Sequence, residues 1–370
     1  MIYLWRLVYL SVLLSGTVGV AQARNYYALP TADGSECTDE SPCSLKTAIS
    51  KAEPGDDVVL KDGVYNEVLH TVRNGTKGNP ITIRAENRHK AVMRWPYGGL
   101  KFAQLVNIGH DWTILRGIKV DGNNKSWDSI RVSGSHSNFA SNVIVEDTFV
   151  QDAGIAGGNV HDAENVIWRH CRIEMTGGGS QDGSAWYISS ATRGSVVKGL
   201  QIYGCRVSGT RGGNLTDIKQ DAYDVYVHHN IWENHGASPL DSKGWAGDGM
   251  IRSASRKNLR GAGNRWENNI IRNTSKFNYA IRLQGNRVDV KKNVFYNMKG
   301  SNLFIEKRTS EASKVSDNII CNGPSLNQVE RGENRFNRPM DECKAEEKRI
   351  LREMEDLPKV GSGWGKPAEQ

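Results

Sequence analysis

Three cations stand out for the company they keep. Lys219, Arg252 and Arg282 each follow an isoleucine inside a short segment that alternates apolar and polar residues. In a half-buried strand such an isoleucine points inward and its successor points outward. Arg131 follows Ile130 and His161 follows Val160 in the same way, and Ser189 and Glu306 extend the set. Two positions before this level stand Asn159, Tyr187, Asp217 and Phe304. If these segments stack side by side, Lys219, Arg252 and Arg282 lie on consecutive strands of one face. Stacked like charges repel unless something anionic lies across them. A polymer bearing carboxylates or sulfates meets that need.

Such a face suits proton abstraction beside a carboxylate. The hydrogen at C5 of a uronate is weakly acidic, and a cation on the carboxylate stabilises the charge that develops when it leaves. A lysine serves as the base where neighbouring cations lower its pKa. Lys219 beside Arg252 satisfies that condition, and Arg282 supplies a further cation. His161, which titrates near neutrality, is the second candidate base. Arg131, Tyr187 and Glu306 are expected to contact substrate. Asp217 and Asp221 offer oxygen ligands for calcium, the candidate cofactor, although both also suit turns. Asp182 and Asp248 are weaker candidates. Hydrolysis would instead need clustered carboxylates, and the mid-solenoid strands have no Asp-Asp pair; Asp56 and Asp57 belong to the opening coils. A C5 epimerase would use nearly the same groups, and a binding solenoid without catalysis would need only the charges.

The elements that must position these residues are legible as a repeat. Alternating segments end in Asp147, Cys171, Cys205, Asn230, Asn269, Asn293 and Asn318, at a base interval of about 24 residues with two longer intervals. That period accommodates three short strands and three turns per coil. Stacked coils bring equivalent residues about 4.8 Å apart, so Asn230, Asn269, Asn293 and Asn318 are expected to form a hydrogen-bonded ladder. Cys171 and Cys205 take ladder positions on neighbouring coils, either as buried thiols or as a disulfide. Counting back 12 or 13 residues from the ladder aligns Ile218, Ile281 and Ile305, and Ile251 and Ile188 are placed at the same level. The expected fold is all-β: a right-handed parallel β-helix with short helical caps.

The ends of a solenoid expose strand edges and need covering. Ser44 to Ala52 is expected to form a short helix over the first coil, stopped by Pro54-Gly55. Lys344 to Glu355 is expected to form a helix against the last coil, and Gly361 to Gln370 to be a frayed tail. The expected domains are a signal peptide over 1–23, the β-helix over 24–345, and the C-terminal helix and tail over 346–370. The signal rests on Arg6, the apolar stretch from Leu7 to Val20 and the small residues of Ala21-Gln22-Ala23. It implies a secreted or periplasmic protein free of the membrane after cleavage. The even cysteine count suits that compartment, with Cys37–Cys43 and Cys321–Cys343 expected as disulfides. Lys and Arg total 48 against 41 acids, a formal charge of +7 that favours an anionic partner. No basic run with interleaved aromatics points to nucleic acid, no cysteine or histidine spacing points to zinc, and a monomer is expected.

One region carries a family resemblance. Ala48-Ile49, Pro54-Gly55-Asp56-Asp57-Val58-Val59-Leu60-Lys61-Asp62-Gly63-Val64-Tyr65, Gly75-Thr76 and Pro80-Ile81-Thr82-Ile83 resemble the opening coils of pectate-lyase-like β-helix proteins. They are most similar to the alginate lyase and chondroitinase B family of polysaccharide lyases. Tyr279-Ala280-Ile281-Arg282-Leu283-Gln284-Gly285-Asn286-Arg287 resembles that family's arginine strand, with the arginine displaced by one position. Arg252-Ser253-Ala254-Ser255 has alanine where the family's pattern has lysine, which leaves Lys219 as the substitute. The resemblance implies a lysine and an arginine on neighbouring coils that transfer protons beside acidic calcium ligands.

Overall fold

The computed structural model describes residues 23–98, 101–135, 137–174, 176–177, 183–188, 195–209, 216–218, 221–233, 251–253, 263–274, 279–283, 288–298, 303–307, 314–322 and 334–363. The signal segment expected over 1–23 lies almost wholly outside them. The chain winds through three parallel sheets of 13, 11 and nine strands, here called A, B and C. Each coil passes from A to B to C, and the next coil pairs with it in parallel, as short right-handed crossovers allow. The architecture is the expected parallel β-helix, of about ten coils.

The ladder occupies the turn from sheet A to sheet B. Asn269 Oδ1 accepts from the backbone N–H and the Nδ2 of Asn230, both at 3.1 Å. Asn293 serves Asn269 likewise at 2.9 Å, and Asn318 serves Asn293 at 2.9 and 3.0 Å. Asn334, not anticipated, adds one more rung beneath Asn318. The second amide hydrogens go to carbonyls, as in Asn230 Nδ2 to Ile202 and His228. Each rung from Cys171 to Asn318 follows a residue in the left-handed region: His170, Gly204, His229, Asn268, Lys292 and Asp317. Asp147 is one of these, so the rung in its coil is Thr148 and not Asp147 as expected. At the upstream end Cys171 and Cys205 form a disulfide, and Cys37–Cys43 and Cys321–Cys343 pair as expected.

Inside, Trp168, Trp186, Trp232, Trp266 and Phe295 are fully buried. The first coil is covered by helix α1 (Leu45–Lys51), whose N-terminus is capped by Ser44 and which buries Leu45, Ala48 and Ile49. Helix α2 (Met340–Glu355) begins earlier than expected and lies against the last coils, on Val294–Met298 and Ile319–Cys321. It is tied there by Cys321–Cys343 and runs back along the outside of the solenoid. Ile231, Ile270, Val294 and Ile319 occupy successive outward rungs of sheet B, and Ile350 packs among them. Glu347 accepts from Arg272 and from the Tyr296 hydroxyl, Arg349 donates to Asn268 (3.0 Å), and Glu353 meets His229 (3.1 Å).

The chain beyond α2 continues as a strap over sheet A. Leu357 packs on the outward stripe of Ile114, Ile144, Ile167 and Tyr203. His170 Nε2 lies 2.7 Å from the Pro358 carbonyl, and Gly361 N–H donates to the buried Glu146 carboxylate at 3.2 Å. Glu146 also pairs with Arg169 at 2.6 Å and Arg116 at 2.5 Å. The expectation of a frayed tail from Gly361 is therefore corrected for Gly361 to Gly363. An exposed apolar stripe and a buried carboxylate with spare lone pairs both gain by holding that segment.

Two stability predictions follow from this packing. Asn269→Ala strands two donors of Asn230 and the carbonyl of Val227. It should cost about 3 kcal/mol, read from the shift of the urea midpoint. His228 lies stacked between Tyr203 (5.0 Å) and Tyr226 (4.1 Å). Burial, then the neighbouring His229 and Arg265, push its pKa down to about 3. The unfolded chain takes that proton near the ordinary value of about 6.5 while the folded chain does not. Stability should fall as pH drops from about 6.5 toward 3, by about 1.4 kcal/mol per unit from this group. The slope of wild type minus His228→Gln measures it.

Candidate active site

The outer face of sheet C is the face that neither α2 nor the strap contacts among the described residues. Its backbone register runs Asn107, Arg131, Asn159, Tyr187, Asp217, Arg252, Arg282, Glu306, one residue per strand. Buried residues flank this column on both sides. Ile108, Val132, Val160, Ile188 and Ile218 follow the first five members, and Val106, Ile130 and Trp186 precede the first, second and fourth. Gly158, which precedes Asn159, makes room for the core beneath: a Cβ there would sit 2.7 Å from the Trp168 ring and 2.8 Å from that of Trp186.

Six of the nine expected site residues fall in this one column: Arg131, Tyr187, Asp217, Arg252, Arg282 and Glu306. The expected alignment differs in two respects. Arg252 pairs with Asp217 and not with Lys219, and Arg131 pairs with Asn159 and not with His161. Lys219 itself lies outside the described residues. The reason is turn length. Asp217 precedes its ladder rung Asn230 by 13 residues, whereas Arg282 precedes Asn293 by 11. A fixed count therefore slips by two, and a slip of two keeps every isoleucine facing inward, so the alternation gives no warning. His161 sits beside the column, level with Ser133, with its Nδ1 3.2 Å from the Ser133 hydroxyl and 3.4 Å from Asp162.

The N-terminal part of the column is the part whose side-chain chemistry is described. Arg131 donates from Nε (3.0 Å) and Nη2 (2.7 Å) to one oxygen of Asp128, and Asn159 Nδ2 donates to the same oxygen at 3.1 Å. Gln104, with its amide oxygen turned to the guanidinium, accepts from Nη1 (2.9 Å) and Nη2 (3.1 Å). Burial raises the Asp128 carboxyl pKa, against the pull of Arg131 and Asn159. Asp128 was not anticipated from sequence. Positions three apart in a flat strand face opposite ways, yet the long Arg131 side chain reaches back to the Asp128 carboxylate.

The two expected calcium ligands part company. Asp217 belongs to the column and is 5% exposed. Asp221 lies in the turn from sheet C to sheet A with φ of 61°; its carbonyl accepts from Val197 N–H at 3.0 Å, and its carboxylate accepts from the Tyr223 hydroxyl at 3.4 Å. It is a turn acid. Among the described residues no three His, Cys, Asp or Glu side chains gather to hold a metal ion. Asp182 and Asp248 lie outside the described residues.

The chondroitinase B family model matches residues 40–328. The chain belongs to the chondroitinase B family. Pectate lyase L of Dickeya chrysanthemi is 24% identical over 263 residues, covering 63% of this chain and 56% of that protein. The chain thus spans about half the length of the curated relatives it matches. Among solved structures, pectate lyase Pel9A aligns with a TM-score of 0.68 at 16% identity, over 85% of this chain and 80% of that one. Alginate lyase from Paenibacillus sp. str. FPU-7 aligns at 0.61 and 18% identity, over 85% of this chain and 98% of that one. At these identities the structural likeness speaks for the shared pectate-lyase-like β-helix.

Proposed function

We propose that this member of the chondroitinase B family is a secreted polysaccharide lyase that cleaves a uronate-containing chain by β-elimination in the sheet C groove. The observation that carries the reading is the backbone register that puts Asp217, Arg252, Arg282 and Glu306 level with one another on four successive strands of sheet C. Consecutive arginines at about 4.8 Å spacing repel one another, and a bound carboxylate relieves that repulsion. Arginine meets a carboxylate in a two-point fork, and its charge stabilises the enolate that forms when the C5 proton departs. Lys219 is the proposed base, and His161 is the alternative beside the column. As the C5–H bond breaks, the electron pair forms the C4–C5 double bond and the C4–O bond opens. The leaving oxygen then takes a proton. Tyr187 and Glu306 would contact the chain on either side. Asp217 is the one proposed calcium ligand that lies in the column, and no step above depends on the metal. The three disulfides fit an oxidising compartment, which supports export.

The test is ultraviolet absorbance of unsaturated ends during digestion of alginate, pectate, chondroitin sulfate and glucuronan, with and without chelator. Wild type should act on at least one. Arg282→Ala should lower kcat/KM on that substrate by about 100-fold or more, and Lys219→Ala should abolish turnover with the fold intact. Retention of wild-type turnover by Lys219→Ala would transfer the base to His161. Absence of unsaturated ends on every polymer would overturn the lyase reading.

A further inference from the structure

The pairing of Arg131 has a consequence for what the groove recognises, provided the groove binds uronate as proposed above. Arg131 has five N–H donors. Two go to Asp128 and two to Gln104, which leaves one on Nη1. The Arg131 side chain is 21% exposed, but that of Asp128 is only 1% exposed. A passing chain therefore meets the arginine and not the acid, yet the charge of the arginine is already compensated from below. The same Asp128 oxygen fixes the next rung, Asn159.

We infer that Asp128 is a specificity-determining residue: by pairing with Arg131 it makes the N-terminal end of the groove electrically neutral, so that the sugar resting there is read through its hydroxyls and not through its carboxylate. Arg131 lies four strand steps from Arg252, through Asn159, Tyr187 and Asp217. At about 4.8 Å per step that is roughly 19 Å along the axis, several sugars from the reacting bond. Only a chain long enough to span that distance reports on the rung.

The experiment measures binding of immobilised oligogalacturonates and oligomannuronates, from dimer to octamer, by biolayer interferometry. All proteins carry Lys219→Ala to suppress turnover. Asp128→Asn keeps the shape and the acceptor oxygen but removes the compensating charge. It should bind hexamer and octamer about five- to tenfold more tightly than the parent, with dimer and trimer unchanged and the gain lost at high salt. The double change Asp128→Asn with Arg131→Gln should return long-chain affinity to that of the parent. An unchanged or weakened affinity of Asp128→Asn for long chains, at an unchanged melting temperature, would overturn the inference. So would a gain equal at every chain length, since a structural effect has no reason to depend on length. A parent that binds no oligouronate of any length would instead overturn the uronate reading on which the inference rests.

Discussion

The buried turn from sheet A to sheet B is the constraint on which the rest of this molecule depends. The chain must reverse inside the core, where water cannot satisfy its N–H groups, and an unmet donor there is costly. The asparagine of the next coil meets that demand, because its oxygen accepts both the backbone and the side-chain N–H of the one before it. Each rung is therefore satisfied only if the next coil is in register. The left-handed residue before each rung, such as His229 or Asn268, aims the amide along the axis. The repeat is thus a consequence of hydrogen-bond closure, and strand alternation follows from the pitch that closure sets.

With the interior fixed, the three outer faces divide the remaining work. Outward isoleucines on sheet B draw in α2, and those on sheet A draw in the strap through Leu357. On sheet C the backbone register instead lines up polar residue types, from Asn107 through Arg131 and Asn159 to Asp217. The C-terminal segment ties together coils as far apart as those of Glu146 and Cys321.

Much of this was readable from the chain. The asparagine intervals disclosed the coil, the terminal cysteine pairs were anticipated, and six expected site residues share a column. What escaped was everything that depends on turn length or on distant partners. The count back from Asn230 reached Ile218 and missed the true level by two, because an insertion in a turn of even length leaves the apolar alternation intact. Asp128 was hidden because strand parity sets it on the opposite face from Arg131, and only the reach of the arginine side chain brings the two together. The strap was hidden because Gly361 meets Glu146 across 215 positions, a contact without local signature. Its glycine-rich composition reads as disorder when the buried acceptor that holds it is not in view.

The molecule also shows that a charge on a strand face cannot be interpreted from its own strand. Arg169 and Arg131 are both arginines on outward rungs, and each is committed to an acid. Arg169 is sealed under the strap with Glu146, where full burial demands that compensation. Arg131 remains open to a ligand while its acid lies beneath it. The distinction lies in which member of the pair faces solvent: a surface acid beside a surface arginine forms an ion pair that an incoming carboxylate can displace, whereas an acid in the floor cannot move aside. A neutral rung built in this way is permanent. Selectivity along the groove would then arise from which cations are compensated from below, more than from how many cations the sequence supplies.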